Sequence, residues 1–484
     1  MIDLKQLREN PTRFALGAQE KGVSVDVSRL VALDAEKRQL QTEMEKLRAE
    51  QNRLAKEIGP QIGKLKGQLK GKHGAEAEAI EREIELLSAK PIALKAGVQE
   101  LDAKVQALEP QIMELLLQVP LPPDADVPKG KGSEDNKEIK RWNPPAMAGR
   151  PAFDTSAPFE SQRGFLPKTH LELARDLKLA DFERGVKIAG SRSYVLTGDG
   201  MRLHMAVQRY AMDYMVEKNG FRAMSVPTLV REETMIGTGF FPAGREQAYQ
   251  VEESKRGGGY DLFLTGTGEV GLMGVHMGEI LDEAELPLKY VTVSTCYRRE
   301  AGAAGKDTAG LYRIHQFDKV EQVVICKADE QESRRWHKTM IGYVEDILQS
   351  LGIPYRLLQC CTGDLGVKNA DMIDIESWMP GRGAVRARKA GEGIGPDVPL
   401  GDYGETHSAS RLYDYQCRRL NMRYRPGGES GKGETTFCHS LNNTVLASPR
   451  FLIPLLENWQ NADGSVTIPP ALRPYMGGKE RITG

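Results

Sequence analysis

No two of the six cysteines (Cys296, Cys326, Cys360, Cys361, Cys417 and Cys438) stand at CxxC spacing, and two of them are adjacent. That pattern speaks against a disulfide framework and against a zinc site, and it fits a reducing compartment. Long apolar runs are missing as well. Nothing approaches the roughly 18 residues expected of a membrane span. The opening MIDLKQLRENPTRF is charged from its third residue, which argues against a secretory leader, so a cytoplasmic protein without a membrane partner is expected. An excess of one charge is also absent: 66 basic side chains stand against 67 acidic ones. Any polyanion must therefore be met by a local patch and not by the surface as a whole.

What is present is length and a change of texture along it. A chain of 484 residues suggests two or three domains. Between residues 28 and 118, Leu30, Leu33, Leu40, Met44, Leu47 and Leu54 follow three- and four-residue steps, interrupted by Lys37 and Gln51. A second seam runs from Ile80 through Leu94, Val105 and Ile112 to Leu115, broken only at Pro91. Such spacing predicts two long helices packed along a narrow stripe. The glycine-rich GPQIGKLKGQLKGKHG between them should end the first helix and reverse the chain, giving an antiparallel hairpin that projects. Helices of about 30 residues would reach roughly 45 Å. The tip carries Lys64, Lys66, Lys70 and Lys72, which read either as a solvated turn or as a cationic finger for phosphates.

A proline- and glycine-rich linker is expected over 119–160, after an N-terminal domain at 1–118 and before a second domain at 161–484. In that second domain, GMRLHMAVQRYAMDYMVEKNG (200–220) is a helical pattern stopped by glycine. YDLFLT, YVTVSTCYRR and QFDKVEQVVIC suit strands, and further helices are expected near 330–351 and 445–460. The strand candidates lie close together, as antiparallel connections allow. The fold class is α+β, with an antiparallel sheet flanked by helices. Two segments carry chemistry. CYRREAGAAGKDTAGLYRIHQF (296–317) collects cations around three glycines, as either a polyanion site or a solvated hairpin would. YGETHSASRLYDYQCRR places Glu405 and Asp414 in a polar cluster, and Arg450 is expected in the first turn of a helix, where an anion would suit the macrodipole.

Together these segments resemble the three signature motifs of class II aminoacyl-tRNA synthetases, and their order over nearly the whole chain resembles the seryl-tRNA synthetase family. The hairpin is similar to that family's tRNA-binding arm. GFRAMSVPTLV, with Pro227, is similar to motif 1, which builds a dimer. CYRREAGAAGKDTAGLYRIHQFDKVEQ is similar to motif 2, and LNNTVLASPRFLIPLLEN to motif 3. The resemblance implies a homodimer that activates L-serine with ATP and Mg2+ and transfers it to tRNA(Ser), with tRNA(Sec) left open as a second acceptor. It implies catalytic roles for Arg298, Glu300 and Arg450, with Arg298 on the α-phosphate and Glu300 reading the adenine edge. Arg299, Arg313, Ile314 and Phe317 would complete the ATP site, Phe317 by stacking on the base. Glu405 and Ser408 would hold the metal, with Thr406 and His407 in the same ATP-binding stretch, His407 supporting and not catalytic. Serine would be bound by Thr267, Gly268, Glu269, Arg298, Glu321, Asn442 and Thr444, with Thr265 merely structural. Lys64, Lys66, Lys70 and Lys72 would meet tRNA. Glycines 302, 305 and 310 would let the motif 2 loop move.

The chain departs from the family pattern at Gly268, where alanine is usual and a tolerated exchange is expected, and at His407, Ala409 and Arg411. Two rival readings are a paralogue that loads serine onto a carrier, which would lack the arm, and a non-catalytic coiled-coil scaffold. Intact Arg298, Glu300, Glu321 and Arg450 disfavour the latter.

Overall fold

The computed structural model describes residues 1–302, 310–387, 397–427 and 433–484; the expected hinge glycine Gly305 lies outside the described residues. The chain divides into two compact units. One comprises Asp3–Leu16 and Ser24–Val119, and the other comprises Met1–Ile2, Gly17–Val23 and Pro120–Gly484.

The first unit is dominated by two antiparallel helices, α1 (Val27–Leu69) and α2 (Ala75–Gln118). Asp26 caps α1, its carboxylate accepting from the Arg29 amide at 2.8 Å, which satisfies an N-terminal donor the helix cannot. The expected seams are the packed ones. Leu30, Leu33, Met44 and Leu54 on α1 and Leu101, Val105, Leu108 and Ile112 on α2 are buried. Lys37, which interrupts the first seam, donates to Glu109 of α2 at 2.7 Å. The reversal comes later than expected. The helix runs on through Gly59, Pro60, Gly63 and Gly67, because glycine inside a helix costs only about 1 kcal/mol and does not forbid it. The chain turns where positive φ is needed, at Gly71 (84°) and Gly74 (70°). Lys64 and Lys66 therefore lie on the last turns of α1, Lys70 caps it, and Lys72 pairs with Glu76 at 3.1 Å. With 43 residues in α1, the helix is about 65 Å long, not 45.

The second unit is built on an eight-stranded sheet. In chain order its strands are β1 (Lys137–Trp142), β2 (Arg222–Ala223), β3 (Leu288–Tyr297), β4 (Gln316–Cys326), β5 (Tyr355–Gln359), β6 (Asp371–Met379), β7 (Asp402–Tyr413) and β8 (His439–Ser448). They lie in the order β1-β5-β6-β7-β8-β4-β3-β2. All neighbours are antiparallel except β2 and β3. The expected linker is not a loose connection: its residues 137–142 form the edge strand on β5, and Phe153 and Phe159 are buried with Trp378 and Tyr403. Aromatic side chains at that spacing gain more from burial than the proline-rich backbone loses.

One face of the sheet carries Val320, Val324, Ile375, Ala409 and Val445 into a core closed by α4 (Gly198–Asp213) and α6 (Glu330–Ser350). A short helix, α3 (His170–Asp176), has a capping box between Thr169 and Glu172. Residues 439–448, partly expected as helix, are strand β8, paired with β4 and β7 and buried along most of its length. The helix α7 (Leu452–Trp459) begins only at Leu452. Arg450 therefore precedes that helix and does not sit in its first turn.

Candidate active site

Strand alternation brings Phe317, Lys319 and Glu321 of β4 to the face of the sheet opposite the core. Glu321 stands opposite Thr292 of β3 and Thr444 of β8. The Asn442 amide donates to Glu321 Oε1 at 3.0 Å, and Lys319 Nζ lies 2.5 Å from Oε2. Lys319 also donates to Thr267 Oγ1 at 2.8 Å. The next segment, α5 (Glu269–Gly274), begins at Gly268. Glu269 is 2 % exposed; its Oε1 accepts from Lys368 Nζ at 2.6 Å and from Gln416 at 2.7 Å. Burial lowers the Lys368 ammonium below its usual range, against the opposing pull of Glu269. Thr267, Gly268, Glu269, Glu321, Asn442 and Thr444 thus converge, as the resemblance implies. Thr265 serves the backbone only, its amide donating to Thr228 O and its carbonyl accepting from Tyr297. Gly268 is less exchangeable than expected. A Cβ there would lie 2.5 Å from Thr292 Cγ2 and 2.9 Å from Ser294 Oγ, so alanine needs those neighbours to shift.

The residues expected to meet ATP adjoin this pocket. Arg298, Glu300, Ile314, Phe317, Thr406 and Arg450 line one small cleft of about 50 Å³, which Glu405, Lys319, His407 and Thr444 also border. The Arg298 guanidinium sits 5.2 Å over the Phe317 ring, a direct cation–π contact that forms one wall of the cleft. Glu300 takes a positive φ of 52°, a conformation uncommon for a residue with a Cβ. Its carboxylate accepts from Arg313 Nη1 at 3.2 Å. Arg450 donates from Nε to Tyr312 O at 2.9 Å and from Nη1 to Glu405 O at 3.1 Å. A roomier cavity of about 460 Å³ opens beside the cleft, between Gly266, Gln247, Tyr297 and Arg298. Arg299 leaves the group: as the neighbour of Arg298 it turns the other way and donates to Glu246 O at 3.2 Å.

Glu405 keeps a half-exposed carboxylate, 47 %, with Oε2 3.8 Å from Arg450 Nη1. Ser408 faces Asp374 across the β6–β7 pair. A carboxylate and a hydroxyl are hard oxygen donors, the set that Mg2+ takes together with phosphate and water, so these residues fit that ion. His407 is 1 % exposed and packs edge-on against Phe451, with ring centroids 6.0 Å apart. Lys319, Lys368, Gln416 and Tyr312 were not anticipated. Lys319 was within reach, because it falls midway between Phe317 and Glu321 in the alternation; Lys368 and Gln416 arrive from distant segments and carry no local signal.

An antiparallel sheet backed by helices, with paired arginines at a nucleotide cleft, defines a class II aminoacyl-tRNA synthetase. The comparisons agree. Residues 249–459 match the model of the tRNA synthetase class II core domain (G, H, P, S and T), and residues 1–122 match that of the seryl-tRNA synthetase N-terminal domain. A serine–tRNA ligase of Deinococcus radiodurans is 38% identical over 99% of this chain and 98% of its own length. One from Dictyoglomus thermophilum is 40% identical, with coverage of 99% and 98%. The crystal structure of seryl-tRNA synthetase from Pyrococcus horikoshii complexed with ATP superposes with a TM-score of 0.81 at 35% identity, covering 100% of this chain and 99% of that one. The chain belongs to the seryl-tRNA synthetase family.

His407 supplies a pH test. Burial lowers its pKa from 6.5 to about 3. The unfolded chain therefore takes up a proton between those values that the folded one refuses, so this residue's contribution is full above 6.5 and falls with pH below it. The slope is about 1.4 kcal/mol per pH unit. Urea unfolding at pH 6.5 and pH 5 should show a loss about 2 kcal/mol smaller in His407→Ser than in the wild type; equal losses would place the imidazole in water.

Proposed function

We propose that the chain activates L-serine with ATP and transfers it to tRNA(Ser). The serine carboxylate oxygen attacks the α-phosphorus, the bond to the bridging oxygen breaks, and pyrophosphate leaves. The terminal ribose hydroxyl of the tRNA then attacks the acyl carbon, AMP departs, and the hydroxyl proton is released. The observation that carries this reading is the junction at Lys319 and Thr444, which border the cleft of Arg298 and Arg450 and stand against Glu321 of the adjoining pocket.

Charge develops on phosphoryl oxygens, so fixed cations and positioning supply the catalysis and no obligatory acid or base is needed. Arginine suits the task because its planar fork holds two oxygens and stays charged. Arg298 takes the α-phosphate, while Arg313 and Arg450 take the outer ones; Glu300 and Phe317 hold the base. Glu405 and Ser408 would hold Mg2+, which, when bound, neutralises phosphate charge. Glu269 meets the substrate ammonium, and Glu321 with Thr444 grips the hydroxyl. A site built around a hydroxyl rejects the analogue lacking it by roughly 10⁴ to 10⁵, which excludes alanine. The working location is cytoplasmic; no helix among the described residues is long and apolar enough to cross a membrane.

If Arg298 and Arg450 stabilise phosphoryl charge, replacing either with alanine removes a contact worth about 1.5–3 kcal/mol. ATP–pyrophosphate exchange should then fall at least roughly ten- to hundredfold, with little change in serine binding. Near-normal exchange in Arg298→Ala would sink the assignment.

The hairpin is assigned to tRNA. It forms its own compact unit, and Lys64, Lys66, Lys70 and Lys72 cluster at the α1 end and the turn. Replacing residues 30–116 with a short linker should leave serine activation largely intact and abolish charging of tRNA(Ser), and of tRNA(Sec) if it is an acceptor. Neutralising Lys64, Lys66, Lys70 and Lys72 should weaken tRNA binding and flatten its salt dependence. Full-rate charging by the arm-deleted enzyme would contradict this and favour the carrier-loading reading.

A homodimer is the third part of the proposal. The motif 1 segment around Pro227 runs into an exposed apolar side chain, Leu229 at 40%, which an isologous contact would cover. Sedimentation should give about twice the chain mass of 53.6 kDa; a monomer alone at micromolar concentration would count against it.

A further inference from the structure

Behind the nucleotide end of the site, Glu457 is 1 % exposed. Its Oε2 accepts from Gly381 N at 2.7 Å. Its Oε1 lies 2.7 Å from His170 N, which donates to it, and 3.1 Å from His170 Nδ1. The other ring nitrogen, Nε2, accepts from Leu311 N at 3.4 Å. A neutral imidazole makes both contacts only with its proton on Nδ1. The approach is close: Gly310 takes a φ of 89°, and a Cβ there would lie 2.4 Å from Nε2. Tyr312 follows Leu311, and its carbonyl accepts from Arg450 Nε while its ring lies 4.5 Å from that guanidinium. A continuous run of contacts thus leads from a buried carboxylate, through His170 and the Leu311–Tyr312 backbone, to an arginine of the cleft. The two carbonyls of Tyr312 and Glu405 take one N–H each, leaving three of the five guanidinium donors for other partners.

We infer that His170 is a positioning residue for Arg450: by receiving the Leu311 N–H it fixes the Leu311–Tyr312 backbone, and with it the Tyr312 carbonyl that aims the guanidinium into the cleft. The inference rests on the reading of Arg450 as a phosphate ligand. It assigns work to a histidine that touches neither substrate. It also gives a reason for the buried Glu457 carboxylate, which holds the ring in the one tautomer that can receive the Leu311 N–H.

Two near-isosteres separate the nitrogens. Asparagine reaches the Nδ1 position, keeping the Glu457 contact and with it the local fold, but loses the Leu311 contact. Glutamine reaches the Nε2 position and restores an acceptor there. In pyrophosphate exchange, His170→Asn should raise the KM for ATP about 3- to 10-fold, the size of one neutral hydrogen bond. The KM for serine should stay within about 2-fold, and His170→Gln should stay within about 2-fold on both substrates. Because the effect passes through Arg450, His170→Asn should add less than about 2-fold in an Arg450→Ala background. No change in His170→Asn, equal changes in the Asn and Gln variants, a parallel rise in serine KM, or full additivity with Arg450→Ala would each overturn the inference. An Arg450→Ala enzyme with an unchanged ATP KM would instead overturn the reading of Arg450 on which it rests.

Discussion

The ion pair of Lys319 and Glu321, with side chains 7% and 0% exposed, is the interaction on which the site is assembled. Two charges taken out of water are tolerable only as partners with their remaining hydrogen-bonding capacity met. Here the surplus contacts bind three segments together. Lys319 reaches Thr267 ahead of α5, and Glu321 reaches Asn442 on β8. The pocket proposed for the amino acid is therefore assembled by the same contacts that keep β4 from burying an unpaired charge. Glu269 and Lys368 repeat the device alongside it in space. A pocket made of such pairs stays close to neutral, so an incoming zwitterion is met by local charges of both signs and not by a field of one.

Much of this was legible in the chain where a short period or a compact motif carried the information. Strand β4 coincides with QFDKVEQVVIC because a short run rich in β-branched residues suits a strand buried on both faces. The seams of α1 and α2 were legible by their three- and four-residue steps. Residues 445–448 were misread because a buried strand and a buried helix segment are alike in composition when apolar residues run together. The glycines at 59, 63 and 67 were overvalued as breakers; a weak propensity was set against a helix sustained on both sides. Arg299 followed Arg298 into the list of nucleotide ligands, although neighbours on an extended chain face opposite ways. Lys368 and Gln416 could be found only in three dimensions, since they reach Glu269 from positions 99 and 147 residues downstream.

The unit boundary at Val119 and Pro120 separates two kinds of cohesion. The sheet unit draws on long-range contacts, including an edge strand recruited from a stretch that looked like linker. The hairpin draws on one seam between two helices, with exposed ion pairs that add little individually.

Along that seam burial is graded. Leu101, Val105, Leu108 and Ile112 are nearly inaccessible, whereas Ile80, Ile84 and Leu87 are only half covered. A helix pair whose far end holds less apolar surface out of water opens from that end first, so backbone amides between the turn and about residue 84 exchange with solvent through local fraying while those near 105 wait for the whole unit to melt. The hairpin is thus stiff at the root and compliant at the basic end, and its last turns can settle onto an irregular partner without loosening the residues that anchor them.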